Sequence, residues 1–470
     1  IKRAIGLAGE DGTIIVTGRR AVEITEDIVL GDGITIKTGE NFTANSSMLD
    51  ITGCKVTINR ATIDGGKNEN KTQSSSSGLI LVNNATLIIN DGARICNGWG
   101  EGITLRTVNR DANLIMNGGE IYNLGSKDNN SPMQYAVNIN LMLDGGTATF
   151  TMNGGSIHDN LVSGCAVYMA SAMGTKGIFN MTGGSIKNNE PLPGSDDKGV
   201  GVCARIGTFN MSGGEISDNQ GGGVIIEDDM GLSSSTVFNM TGGEISGNSA
   251  GYGAGIAVEG GTVNIEGNAL ITRNRTADDG GGGGIAAYGG KVNVTGGTIS
   301  ENTAEFGGGI ASWKNGVVTI GGDALITKNK ATGDGGGGVT AASQTLTLNG
   351  GTISENEAPF GAALGIWGDA KAVMSGDTQI TRNKVLTQNG NEMGGAVYIG
   401  GSKNGGSTFT MTGGSITNNT TDEVYCAGIA VNGNKTGGIV EISGGTIAGN
   451  TNAQGIKQGI RLYKGTNTDG

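Results

Sequence analysis

A block of nine residues recurs along most of this chain and restricts the fold to a stack of similar coils. The copies read MNGGSIHDN, MTGGSIKNN, MSGGEISDN, MTGGEISGN, VTGGTISEN, LNGGTISEN, MTGGSITNN and ISGGTIAGN, with EGNALITRN, GGDALITKN and SGDTQITRN in the same series. Their closing asparagines are Asn160, Asn189, Asn219, Asn248, Asn274, Asn302, Asn329, Asn356, Asn383, Asn419 and Asn450, an average spacing of 29 residues. That length suits three short strands and their turns. A strand such as TVNI or VVTI alternates apolar and polar residues, as a strand buried on one face does. A Gly-Gly turn follows, then a second strand, the asparagine, a variable loop and a glycine-led third strand such as GIAV. One coil cannot bury its own apolar face, but coils stacked ~4.8 Å apart pair every strand with its copy above and below.

Parallel crossovers are right-handed in nearly all proteins. The prediction is therefore an all-β chain, a right-handed single-stranded parallel β-helix of about 14 or more turns. Residues 1–11 are expected to cap one end and residues 12–470 to form the helix. No polar cap follows the last turn, Gly459–Tyr463, so the native protein is expected to continue beyond Gly470, or the chain to be an excised module. The asparagines are expected to take left-handed backbone angles at each corner and to hydrogen-bond their copies in the next coil.

Composition agrees with an extended core. The 470 residues include 92 glycines, 4 prolines and 4% aromatics, with 36% hydrophobic residues in short runs. There is no strict glycine triplet, which excludes collagen. A formal charge of −12 makes nucleic acid an unsuitable partner. No apolar run is long enough to insert into a membrane. The start at Ile1 has neither the charged nor the apolar region of a signal peptide. Five cysteines without CxxC spacing read as buried free thiols rather than as a disulfide framework or a zinc site.

GGTISxN followed by xxGGGI resembles the pectate-lyase-like right-handed β-helix superfamily, in particular repeat-rich surface proteins and glycan-active enzymes of gut Gram-positive bacteria. The FNM…N and GGGI elements also resemble polymorphic outer-membrane adhesins. The resemblance covers most of the chain and implies an extracellular bacterial protein, secreted or attached to the cell surface. It further implies an oligosaccharide or polysaccharide partner. Members include polysaccharide lyases, glycosidases and non-catalytic adhesins, and no catalytic motif of theirs is present to carry over.

The residues themselves offer one column that folding does not require. The fifth positions of the glycine-led strands are Val82, Arg106, Asn140, Ala170, Arg205, Glu227, Glu259, Tyr288, Trp313, Ala342, Trp367, Gly400, Asn432 and Tyr463. Positions two and four should point inward, and three and five toward solvent. Position three is mostly small (Ala257, Ala286, Ala311, Thr340, Gly365), which suggests a shallow floor. Aromatics in an outer line suit sugar rings, with Ala342 leaving room for one unit between Trp313 and Trp367. Glu227 and Glu259, one coil apart, match the ~5 to 5.5 Å separation of carboxyls in retaining glycosidases. An incidental stripe, or aromatics covered by a loop, is the competing reading.

The loop pairs Asp196–Asp197, Asp228–Asp229 and Asp278–Asp279 could assist, replace the glutamates or hold calcium, though no regular calcium-loop spacing is present. No metal ligand set and no cofactor are expected otherwise. His158, the only histidine, lies beside the asparagines and away from the column, against a Ser-His-Asp mechanism.

The leading expectation is a glycoside hydrolase acting on a mostly neutral glycan. Glu227 and Glu259 would be its catalytic pair, and Arg205, Asp228, Asp229, Asp278, Asp279, Tyr288, Trp313 and Trp367 would bind substrate. A non-catalytic adhesin or glycan-binding protein using the same face is the alternative. A polysaccharide lyase ranks last, because Arg106 and Arg205 are the groove's only bases. A monomer, or a module of a larger surface protein, is expected.

Overall fold

A computed structural model describes residues 1–463 except 19, 40–41, 43–46, 68–77, 128–133, 142–144, 172–175, 194–200, 229–235, 278, 334, 343, 387–393, 402–405, 423–424 and 433–436. The chain is an all-β parallel β-solenoid. It divides into two compact units, Ile1–Phe238 and Asn239–Gly470, of similar construction.

In the first unit, sheet A runs from Thr13–Val16 to Glu215–Ser217, sheet B from Val22–Ile24 to Val224–Ile226, and sheet C from Ile28–Leu30 to Thr208–Met211. In the second, sheet A runs from Glu244–Ser246 to Thr446–Ala448, sheet B from Ile256–Val258 to Ile460–Tyr463, and sheet C from Thr262–Ile265 to Ile439–Ile442. Pairing is parallel and in register, as in Ile299↔Ile326 and Ile326↔Ile353. A seven-residue helix, Lys2–Ala8, occupies the segment expected as a cap, and none of its residues is buried.

Strand alternation sets the core. In sheet A the central isoleucines Ile157, Ile186 and Ile216 are fully buried between polar neighbours. In sheet C, Phe150, Phe179, Phe209 and Phe238 stack face to face with centroids 4.7, 4.6 and 4.4 Å apart. Those spacings are the strand separation itself, so like residues meet like residues along the stack.

The asparagine ladder is present. Within each unit a ladder Nδ2 donates to the Oδ1 of the next asparagine, at 2.9 Å for Asn160–Asn189 and 3.0 Å for Asn302–Asn329, and those of Asn160 and Asn302 also donate to an isoleucine carbonyl one coil back. The expectation of left-handed angles needs correcting by one residue. It is the residue before each ladder asparagine that has positive φ, as in Asp159 (52°), Glu301 (58°) and Glu355 (57°). That residue turns the corner toward solvent, and the turn aims the following amide inward, where only hydrogen bonding makes it tolerable.

After the ladder, the second unit adds a further sheet of two-residue strands running from Ser249–Ala250 to Thr420–Thr421. The described residues of the first unit have only Leu161–Val162 paired with Glu190–Pro191 at this place.

Candidate functional site

The glycine-led strands form sheet B. Their registers confirm most of the proposed column within each unit, with Asn140↔Ala170 in the first and Ala342↔Trp367 in the second. One member is wrong. Val82 pairs with Leu105 and is fully buried, while Asn83 is the residue that pairs with Arg106. The leading glycine of that strand, Gly78, misplaced the count by one.

Position three is not an open floor. Ala286 and Ala311 are fully buried, and Thr340 nearly so. The glycine-rich segment before each strand folds back over them. A Cβ on Gly307 would stand 2.6 Å from the Ala311 Cβ, and one on Gly253 would stand 2.9 Å from the Ala286 Cβ. Both glycines also have positive φ. Small residues at position three therefore make room for backbone rather than for ligand.

What remains on the outer face of the second unit is aromatic. Tyr288 and Trp313 stand half-buried, edge to face at 5.6 Å, with Tyr252 and Phe306 from the covering segments packed against Trp313 at 6.1 and 5.6 Å. Lys314 Nζ lies 3.9 Å from the Tyr288 ring centroid. Trp367, also half-buried, packs on Phe360 (5.7 Å) and Tyr398 (4.6 Å). The loop-covered alternative is thus partly correct: these rings are clamped rather than standing free.

The clamp leaves a cavity of about 470 Å³ lined by Phe306, Thr340, Ala342, Phe360, Trp367, Tyr398 and Asn432. Ala342 sits on its wall at the place left open for a ligand. Asn432 Nδ2 donates to the Tyr398 hydroxyl at 3.1 Å, and burial pushes that phenol's pKa up, so it stays protonated.

The sequence reading missed Tyr252, Phe306, Phe360 and Tyr398. A signal was available for three of them. Four residues before the first inward residue of each strand, the chain alternates Tyr252, Gly281, Phe306, Gly335, Phe360. Each phenylalanine ring lies on the glycine of the preceding coil. A Cβ on Gly281 would stand 2.2 Å from the Phe306 ring, and one on Gly335 would stand 2.9 Å from the Phe360 ring.

The carboxylates are otherwise engaged. Glu227 belongs to the first unit, where its Oε2 accepts from Arg205 Nε at 2.6 Å. Burial opposes the Arg205 charge, but Glu227 and Tyr168 outweigh it and hold the guanidinium pKa above its usual value. Glu259 belongs to the second unit and accepts from the Tyr252 hydroxyl. Asp228 Oδ1 accepts from the Thr236 amide at 2.7 Å, an ordinary turn contact. Asp279 is exposed at positive φ. Asp196, Asp197, Asp229 and Asp278 lie outside the described residues. Among the described residues no group of three or more His, Cys, Asp or Glu side chains could hold a metal ion.

His158 is in sheet A, stacked on Tyr122 at 5.4 Å and 2.7 Å from Asp159, apart from sheet B. The five cysteines are free thiols, four of them buried. No described helix is long and apolar enough to cross a membrane.

The first unit has its own recess on sheet B, about 270 Å³, between a stacked pair of tyrosines (Tyr135 and Tyr168, 4.5 Å) and the Arg205–Glu227 pair. Nearby, the buried Glu101 carboxyl accepts from Thr104 and from Asn138 Nδ2 (2.8 Å). Burial raises its pKa despite those bonds. No protein-family model matches the chain, nor does any curated protein or solved structure, so the parallel β-solenoid architecture is as far as its kinship is shown.

Proposed function

We propose that this chain is an extracellular glycan-binding β-helix, of the right-handed pectate-lyase-like kind, that takes up a mostly neutral oligosaccharide on the outer face of its second unit. One observation carries the reading: an aromatic cavity of about 470 Å³ with Ala342 on its wall and Trp367, Phe306 and Phe360 around it. A volume in the ordinary ligand range, apolar faces and a polar edge at Asn432 suit sugar rings, whose C–H faces stack while hydroxyls bond. The Phe306 and Phe360 packing holds the site before ligand arrives, which lowers the ordering cost of binding.

Binding without hydrolysis is now the better-supported reading. One oxygen of Glu227 is held by Arg205, and the Glu259 carboxylate accepts from Tyr252. A glycosidase needs a pair of carboxyls flanking the scissile bond, and among the described residues the lining of the aromatic cavity carries none.

Calorimetric titration with a panel of neutral oligosaccharides tests the proposal, with Trp367→Ala as the probe. Affinity for at least one glycan, falling tenfold or more in Trp367→Ala with the circular dichroism unchanged, is the expected result. Equal affinity in both proteins would remove the site. Sugar released by the wild type and not by Glu227→Gln or Glu259→Gln would restore the hydrolase.

A further inference from the structure

We propose that the recess on the first unit is a second sugar site, sized for one neutral pyranose, in which Arg205 and Glu227 together read a vicinal diol. The inference rests on the carbohydrate reading above, but it uses different residues.

The recess of about 270 Å³ is built from Tyr135, Tyr168, Cys165, Cys203, Arg205 and Glu227, among others. Its volume suits a single ring rather than a chain. Tyr135 and Tyr168 stack face to face with centroids 4.5 Å apart and 8° between their planes, so one ring backs the other beside the recess. The Arg205 guanidinium lies 5.7 Å from the Tyr168 ring centroid, and its Nη1 is 3.5 Å from the Tyr168 hydroxyl.

Nε of Arg205 is occupied by Glu227 Oε2. Among the described residues Arg205 Nη2 donates to nothing and Glu227 Oε1 accepts from nothing. A donor and an acceptor therefore stand side by side on the rim, held by the ion pair that joins them. Two adjacent hydroxyls match this arrangement: one donates to Oε1 while the other accepts from Nη2.

Charge excludes the other simple ligand classes. The pair is neutral as a unit, so a carboxylate ligand would face Glu227 and an ammonium ligand would face Arg205. The remaining walls carry no charge. Cys203 is buried beside Cys165, and burial followed by that neighbouring thiol raises its pKa well above the usual value, so it stays protonated. Both tyrosine phenols are likewise raised by burial. A neutral polyol with one apolar face is what such walls accept.

Gly164 gives a clean way to fill the recess. It lies on the lining, and a Cβ added there meets nothing within 4 Å. Gly164→Leu should therefore occlude the site without disturbing the core. Arg205→Met with Glu227→Leu removes the diol reader while leaving no unpaired charge.

The test is saturation-transfer NMR with methyl hexopyranosides, their fully O-methylated forms and methyl glucuronide, run on the intact chain. Wild type and Trp367→Ala should both bind the free methyl hexosides. Gly164→Leu and the double variant should lose that binding tenfold or more, and O-methylated sugars should not bind. The inference is overturned if the glucuronide outcompetes the neutral sugars, or if both recess variants bind as wild type does. It also falls if wild type binds oligosaccharide at the Trp367 cavity but no monosaccharide, an outcome that spares the main reading. Absence of both kinds of binding ends both.

Discussion

Each of the two units is built on an asparagine ladder, an apolar core and three sheets, yet their outer B faces were built differently. In the second unit position three is held to Ala, Thr or Gly from Ala257 to Gly365, and glycine-rich segments lie down on it. In the first unit the same column reads Thr104, Asn138, Tyr168, Cys203, Ile225, and the last three of these line the recess. The backbone covers one face and side chains furnish the other. The difference follows from Cβ volume alone: a chain segment can approach a sheet closely only where the sheet presents almost no side chain.

The ladder should respond alike in both units, and this sets the baseline for the comparison. Asn329 gives Nδ2 to Ile299 O and Asn356 Oδ1, and accepts from Asn302 at its own Oδ1. Asn329→Ala should cost on the order of 3 kcal/mol in urea unfolding, since several buried partners lose their bonds at once. Asn189→Ala, with the same kind of partners, should cost as much. A cost below 1 kcal/mol in either would mean that the ladder is ornamental there.

A smaller effect separates the faces. Gly281→Leu drives a side chain into the space of the Phe306 ring and should destabilise by about 1–3 kcal/mol, as overpacking does. It should also weaken oligosaccharide binding by displacing Phe306 from the cavity wall. Gly164→Leu, on the first unit, should leave the urea midpoint within error. Equal losses from the two would erase the distinction between a covered and an open face.

The smallest expected effect belongs to the first unit alone and depends on pH. Glu101 has a folded pKa raised above its 4.5 reference by burial. Between that reference and the folded value the native state holds more protons than the unfolded one, so stability falls as pH rises through the window. Glu101→Gln should therefore raise the melting temperature at pH 7 and leave it nearly unchanged at pH 4. A fall at pH 7 would show that the ionised carboxylate is what Thr104 and Asn138 stabilise.

Much of the site was legible as a column but not as a surface. The spacing located Arg205 above Tyr168's coil and Trp367 beside Ala342, because register in a stacked solenoid is a matter of counting. It failed at Val82, where a glycine before the strand was taken for its first residue. It did not reach Phe306 and Phe360, because strand alternation assigns directions only within strands and these rings sit in the segments between them. The alternation of glycine with aromatic at that offset was visible, but its meaning depends on a ring lying across a neighbouring coil.

By itself the sequence determined the parallel solenoid, its asparagine ladder and the residues that share each sheet face. Those features repeat at a fixed interval, and strand alternation turns an interval into a direction. Only the tertiary structure decided which outward residues meet solvent and which carboxylates are already engaged. Exposure and ion pairing depend on how variable loops return over the sheet and which side chains then touch, and contacts of that kind have no period to read.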